Sequence, residues 1–151
     1  IPEIEAEANQ LLAQLSDQNA QIFIESVRDL KSGGAKETLD IKISDNAGIR
    51  PYELFSGGEA FRVDFALRIA ISSLLARRAG TSLQTLIIDE GFGSQDAEGL
   101  QLIMDALYKI QSRFAKIIIV SHLPELKDHF PVHFLVEKSA TGSCVSVIEQ
   151  G

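Results

Sequence analysis

The sequence predicts an α/β fold with a mainly parallel central sheet flanked by helices, and two observations lead to this prediction. First, strands predicted at 84–88 and 116–120 end in apolar runs, and a segment with helical spacing, 97–114, lies between them. Second, residues 59–79 contain no Gly or Pro and carry apolar side chains around much of a helix, which predicts a long and largely buried helix ended by Gly80. Helices that alternate with apolar strands are typical of α/β proteins.

The first fifty residues predict an amphipathic helix followed by an antiparallel hairpin or meander. Residues 2–16 place apolar side chains on one face and acids on the other, which fits either a surface helix or the root of a coiled coil. Strands are predicted at 21–30 and 38–44, and each is followed by a turn. We therefore expect a coiled-coil root in 1–18 and one lobe in 19–151. The apolar positions of the helix are Ile4, Ala8, Leu11, Leu12 and Leu15.

The C-terminal segment continues the alternation. A short helix is predicted from about Pro124, and two further strands near 132–138 and 143–149.

Composition argues against several classes of function. A chain of 151 residues indicates one domain, and its net charge of −7 is the opposite of the basic footprint of a nucleic-acid-binding protein. The apolar runs are too short to span a membrane, and the acidic start has no signal-peptide pattern. The single cysteine, Cys144, cannot form an internal disulfide, which fits a reducing cytoplasm.

Four arginines share the long predicted helix. Helical positions of this kind are most often solvated or ion-paired, and we expect that here rather than a binding patch. They are Arg62, Arg68, Arg77 and Arg78.

The stretch LIIDEGFGSQD, residues 86–96, places two adjacent carboxylates where an apolar strand ends. In α/β sheets, ligands bind beyond the carboxyl ends of the strands. Asp89 is a candidate ligand for Mg²⁺, which prefers oxygen donors, and Glu90 is a candidate for polarising an attacking water. The alternative is that two acids simply open a loop. Because burial of an unpaired charge is costly, we expect a bound cation to complete the environment of the pair.

Two further motifs fit the same chemistry. Ser56-Gly57-Gly58-Glu59 begins the long helix, where glycines permit close approach and unpaired backbone N–H groups favour phosphate. Ser56 is equally suited to be an ordinary helix N-cap. His122 directly follows the strand at 116–120, where an imidazole can hydrogen-bond a phosphate or serve the fold alone.

The order and spacing of these motifs closely resemble the C-terminal half of an ABC-type (ATP-binding-cassette) ATPase head. Within that superfamily, DEGFGSQD and RPYELFSGGEAFRVDFALRIA resemble the SbcC-type DNA-repair ATPases, coiled-coil relatives of the SMC proteins. The resemblance covers residues 50–138 most strongly. It implies a signature motif that contacts the γ-phosphate of ATP held by a partner molecule. The residues of that motif are Ser56, Gly57, Gly58 and Glu59.

The resemblance also implies the remaining roles. Asp89 organises Mg²⁺, Glu90 activates the water that attacks the γ-phosphate, and His122 senses that phosphate. A loop that links the two sites of a dimer, the D-loop, has Gln95 where Leu is common in the superfamily. Its residues are Ser94, Gln95 and Asp96.

The chain has no P-loop, because no Gly in it is followed by Lys. The resemblance therefore implies a partner lobe that carries the P-loop at the N-terminal end of the same protein, and a second head in a homodimer. The cofactors it implies are ATP and Mg²⁺. The further partners are an SbcD-like nuclease and DNA, which is reached through the assembled complex. The resemblance also implies that the protein is located in the bacterial cytoplasm, in association with the nucleoid, and has no membrane partner. The alternatives are a RecN-, RecF- or condensin-type head, or a non-catalytic dimerisation module.

Overall fold

The computed structural model describes residues 1–15, 19–29, 36–55, 57–81 and 83–150. These residues form two units, Ile1–Val120 and Ser121–Gly151. The first contains three helices and five strands, and the second contains two strands; short 3₁₀ turns join several of them. The helices are α1 (Pro2–Leu15), α2 (Gly57–Arg78) and α3 (Ala97–Ile110), and the strands are β1 (Gln21–Asp29), β2 (Lys36–Asp45), β3 (Gly48–Pro51), β4 (Leu83–Asp89), β5 (Phe114–Val120), β6 (Val132–Ser139) and β7 (Gly142–Glu149).

Helix α1 confirms the predicted amphipathic segment. Its apolar face is buried and packs against α2 and α3. Its polar face also contacts the fold, because Asn9 pairs with both the N–H and the C=O of Ile22, at 2.6 and 2.9 Å. Glu5 accepts a hydrogen bond from the N–H of Ile24 at 2.9 Å. Side chains of α1 thus pair with backbone N–H and C=O groups on the outer edge of β1. Without these bonds the edge would be open to pairing with another chain.

Strands β1, β2 and β3 form an antiparallel meander, as predicted, with Ile22 opposite Ile43. Both side chains are fully buried, so the two strands contribute to the core from the same face. The β2–β3 turn is held by Asp45, which accepts a hydrogen bond from the N–H of Ala47 and pairs with Arg50. The Ala47 bond first, and then Arg50, lower the pKa of Asp45.

Helix α2 is buried along most of its length, as predicted, but Ile71 and Leu75 are exposed. It ends where predicted. Gly80 adopts a left-handed φ of +65°, and the N–H groups of Gly80 and Thr81 donate to the carbonyls of Arg77 and Ala76. These two bonds form a Schellman cap, which needs a residue that tolerates positive φ.

The predicted mainly parallel sheet is only partly correct. Within the described residues, β4 and β5 alone pair in parallel, and the other pairings are antiparallel. The physical reason is the connections: the strands of a hairpin such as β6–β7 must run antiparallel, whereas α3, between β4 and β5, supplies the length that a parallel crossover needs. The predicted helix 97–114 is also too long, because α3 ends at Ile110, a 3₁₀ turn follows, and Phe114 pairs with Leu83 as the first residue of β5.

The predicted ion pairing of the α2 arginines is confirmed at two positions. Arg68 pairs with Asp64 one turn earlier. Arg77 pairs with Glu7 of α1, and Arg113, in the 3₁₀ turn before β5, reaches the same carboxylate. These pairs are exposed on the arginine side, so each contributes little on its own.

The second unit is an antiparallel hairpin of β6 and β7, preceded by a 3₁₀ turn over Pro124–His129. The helix and strands predicted for this segment are therefore confirmed, with the helix as a 3₁₀ turn. His133 hydrogen-bonds the carbonyl of Phe130, so its position serves the local structure.

Candidate functional site

The two acids lie where predicted, at the carboxyl end of β4. Asp89 is the last residue of the strand, and Glu90 turns the chain with a left-handed φ of +61°. The N–H of Glu90 donates to the carbonyl of Val120 at 2.9 Å, which fixes the turn to the end of β5. Both carboxylates are exposed. Within this lobe solvent reaches the pair, and the expectation that a bound cation completes their environment stays a prediction.

Gly91 allows the chain to pass over an aromatic ring. Its φ is +99°, and a Cβ added there would lie 2.4 Å from the ring of Phe61 on α2. Phe92, the next residue, is fully buried with its ring centroid 5.1 Å from that of Phe61. The pair anchors the loop to the first turns of α2 by burial and tilted ring packing. The sequence contained this signal, since a Phe between two glycines in an otherwise polar loop is typical of an anchor, but the motif pattern alone assigned Phe92 no role.

The acidic loop, residues 89–96, continues into α3. Ser94 donates from Oγ to the carbonyl of Gly91 at 2.7 Å. Asp96 caps α3 by accepting a hydrogen bond from the N–H of Gly99, also at 2.7 Å. Both side chains therefore have local structural roles. Their predicted part in linking two sites of a dimer stays a prediction.

The described part of the signature motif, residues 57–59 (the signature turn), lies against the acidic loop. Ser56 lies outside the described residues. Gly57 begins α2 with a left-handed φ of +50°, and Glu59 places an acid in the first turn, where the helix dipole favours negative charge. A Cβ added at Gly58 would lie 2.8 Å from the backbone oxygen of Ser94, so the two backbones are in close contact.

Gln95 joins the same two elements by a hydrogen bond. Its Nε2 donates to the carbonyl of Gly58 at 2.9 Å, across 37 positions of sequence. The structure thus brings Gly57 and Gly58 together with Ser94 and Gln95. Arg62, which the sequence pattern marked only as a helix arginine, donates to the same carbonyl at 3.3 Å.

His122 lies in the second unit. Its side chain is exposed. The preceding Ser121 accepts a hydrogen bond from the N–H of Leu123 at 3.1 Å, which fixes the start of the segment. The predicted role of His122 at a γ-phosphate stays a prediction.

The described ranges contain no group of three or more His, Cys, Asp or Glu side chains placed to hold a metal ion. In the same part of the chain, no helix is both long enough and apolar enough to cross a membrane.

Comparison with solved structures supports the fold. An SMC ATPase studied for ATP-driven dimerization and DNA-stimulated activation superposes with a TM-score of 0.74 at 16% identity, over 98% of this chain and 84% of that one. An Smc head bound to the C-terminal winged-helix domain of ScpA superposes with a TM-score of 0.71 at 18% identity, over 98% of this chain and 43% of that one. Identity this low is evidence for the fold alone.

Comparison with sequences is more specific. The family profile described as SbcC/RAD50-like, Walker B motif, matches residues 39–109. The SbcC subunit of the nuclease SbcCD from Clostridium acetobutylicum is 31% identical over 144 residues, 92% of this chain and 11% of that protein. Its counterpart in Pseudomonas aeruginosa is 35% identical over 116 residues, 75% of this chain and 9% of that protein. The chain therefore spans about a tenth of the length of these relatives.

The fold and the family profile together define the class: the chain is a C-terminal lobe of an SMC-like head. Within this class, the profile match and the relatives above 30% identity favour the SbcC type over the other SMC heads. It is a lobe of the SbcC type.

Proposed function

We propose that this chain is one half of an ATP-hydrolysing head in an SbcC-like protein that repairs DNA double-strand breaks together with a nuclease. The observation that carries the proposal is the exposed pair Asp89–Glu90 at the carboxyl end of a parallel strand, in a loop that packs directly on the signature turn. A left-handed non-glycine residue such as Glu90 is uncommon and clusters at functional sites, and metal-assisted hydrolysis of ATP uses one carboxylate near the metal ion and one near the attacking water.

The donor set fits Mg²⁺ as half of a site. Mg²⁺ in nucleotide enzymes is held by one or two carboxylates together with phosphate and water oxygens, and Asp89 offers one exposed carboxylate at the strand end. When bound, the ion with ATP supplies charge neutralisation at the transferred phosphate. Glu90 orients and polarises the attacking water, and its backbone bond to Val120 fixes the turn that carries this side chain.

The P-loop is proposed to come from another lobe of the same protein, and a surface on β4 and β5 supports this. Ile87, Ile118 and Val120 share one face of the parallel pair and are 57%, 40% and 45% exposed. Parallel strands are normally covered on both faces. The lobe that brings the P-loop would cover this apolar face and place the phosphates of ATP beside the two acids.

The signature turn of one head is proposed to contact ATP held by a second head. The N-terminus of α2 presents unpaired backbone N–H groups and a positive dipole end there, which favour phosphate. Nucleotide would then clamp two heads together, and hydrolysis would release them, with His122 contacting the γ-phosphate and the D-loop linking both sites. The nuclease partner would be SbcD-like, DNA would be held by the whole assembly, and the setting would be the nucleoid of a bacterial cytoplasm.

The variant Glu90→Gln tests this function in the complete head, meaning this chain combined with its P-loop lobe. Because an amide cannot accept the proton of the attacking water, we expect hydrolysis to fall at least roughly a hundredfold while ATP binding persists. Heads should then accumulate as ATP-bound dimers in sedimentation experiments. Glu98→Gln, an acid in the first turn of α3, is the matched control and should behave as the unmodified head. Normal hydrolysis by Glu90→Gln would refute the assignment.

A further inference from the structure

The side-chain amide of Gln95 lies wedged between the first turns of two helices. On one side, Nε2 donates to the carbonyl of Gly58 in the first turn of α2. On the other side, Oε1 lies so close to Gly99 in α3 that a Cβ added to this glycine would come within 2.6 Å. The side chain is half-buried, and Nε2 also donates to the Oγ of Ser94 in the acidic loop at 3.4 Å.

The carbonyl that Gln95 holds is also contacted from a third element. Arg62 donates to it from Nε at 3.3 Å and donates from Nη1 to the carbonyl of Leu15, the last residue of α1, at 2.9 Å. Gly58 is therefore fixed relative to the acidic loop by Gln95 and relative to α1 by Arg62. The backbone contact between Gly58 and Ser94 leaves little space for sliding.

We propose that Gln95 is a positioning residue that holds the signature turn and the acidic loop of one head as a single rigid element. The inference rests on the proposed function, in which the signature turn of one head faces the nucleotide of the other head and the D-loop, at the end of the acidic loop, links the two sites. A rigid element presents its phosphate-binding N–H groups and its loop in one geometry, which lowers the entropic cost of forming the composite site. The bond from Gln95 acts on turnover through Gly58, without contact between Gln95 and the nucleotide.

The test compares two substitutions at Gln95 in the complete head. Gln95→Leu keeps the size of the side chain and removes its donor. Gln95→Glu keeps the shape and turns a carboxylate oxygen toward the Gly58 carbonyl. The matched controls are the same changes at Gln101, an α3 glutamine whose Nε2 bonds the exposed Asp105 at 2.9 Å.

For Gln95→Leu we expect turnover at saturating ATP to fall about five- to tenfold, the effect of one lost hydrogen bond on a rate. The affinity of heads for ATP below the concentration at which they dimerise should stay unchanged, because that affinity depends on the P-loop lobe. For Gln95→Glu, turnover relative to the unmodified head should rise as pH falls from about 7.5 to about 5.5, since only the protonated carboxyl can donate to Gly58. Both Gln101 variants should follow the unmodified head throughout.

Three results would overturn the inference. Gln95→Leu could turn over ATP as fast as Gln101→Leu. It could lose ATP affinity and turnover together, which would indicate a general loss of structure. The relative turnover of Gln95→Glu could be flat with pH. If the unmodified complete head fails to hydrolyse ATP, the proposed function fails and this inference fails with it. If the head is active but the Gln95 variants turn over ATP like the unmodified head, the inference alone fails.

Discussion

A methyl group added at Gly58 would press directly on the backbone of the acidic loop. In the variant Gly58→Ala the new Cβ would lie 2.8 Å from the Ser94 oxygen, and ordinary contacts begin at 3.4 Å, so one of the two segments must move by about 0.6 Å. Overpacking of this kind costs about 1–3 kcal/mol. Replacing a helical glycine by alanine returns up to about 1 kcal/mol, because the unfolded chain loses freedom. The net loss of stability should therefore be about 0–3 kcal/mol.

Activity should suffer more than stability does. A shift of about 0.6 Å at a composite site lowers turnover by about tenfold or more, since misplacements of about 1 Å cost about a hundredfold. Thermal melting and ATP turnover of the complete head should be measured together, with Gly93→Ala as control. Gly93 lies in the same loop, and a Cβ there meets nothing within 4 Å. If Gly58→Ala and Gly93→Ala gave equal turnover, the close contact would have no functional meaning and the reasoning would be refuted.

Three further predictions concern single side chains. Asp89→Asn should raise the Mg²⁺ concentration needed for half-maximal turnover of the complete head by about tenfold or more, because one anionic oxygen ligand is lost; an unchanged Mg²⁺ titration would rule out Asp89 as the metal-organising acid. Asn9→Ala should lower the free energy of unfolding in urea by about 2–4 kcal/mol, because it leaves a buried backbone donor and acceptor on β1 unpaired, whereas the exposed neighbour Gln10→Ala should have little effect. Asp45 has a lowered pKa in the folded state, so its contribution to stability is present above its ordinary value of 3.8 and is lost as pH falls below it; Asp45→Asn should flatten that acid limb, and an unchanged limb in circular dichroism titrations would contradict the assignment.

Local signals in the sequence predicted the elements well where each depends on its own residues. The apolar spacing of 2–16 predicted α1 to within one residue, and Gly80 predicted the end of α2 because a left-handed cap needs glycine. The strand pairing was harder to predict. Apolar runs at 84–88 and 116–120 look alike whether their neighbours are parallel or antiparallel, and that choice depends on connections and on contacts distant in sequence.

In the candidate site, too, local sequence predicted the position of the residues but not the contacts between distant segments. Residue types and spacing located the two acids, the paired glycines and the loop between them. They did not predict that Gln95 bonds Gly58, because two positions 37 residues apart become neighbours only through the packing of α2 on the acidic loop. The sequence also did not predict that Asp89 and Glu90 are exposed, because the same pattern of an apolar strand followed by two acids occurs at buried and at solvent-exposed strand ends.

The central claim is that this chain holds half of a composite ATP site. The most direct measurement is ATP turnover by the chain alone and again after mixing with the P-loop lobe of the same protein. The account predicts no turnover by the chain alone and clear turnover by the mixture. Turnover by the chain alone would contradict the account, because it would require a complete nucleotide site within these residues. An inactive mixture whose lobes are folded and associated would contradict it as well, and would favour a dimerisation module without catalytic function.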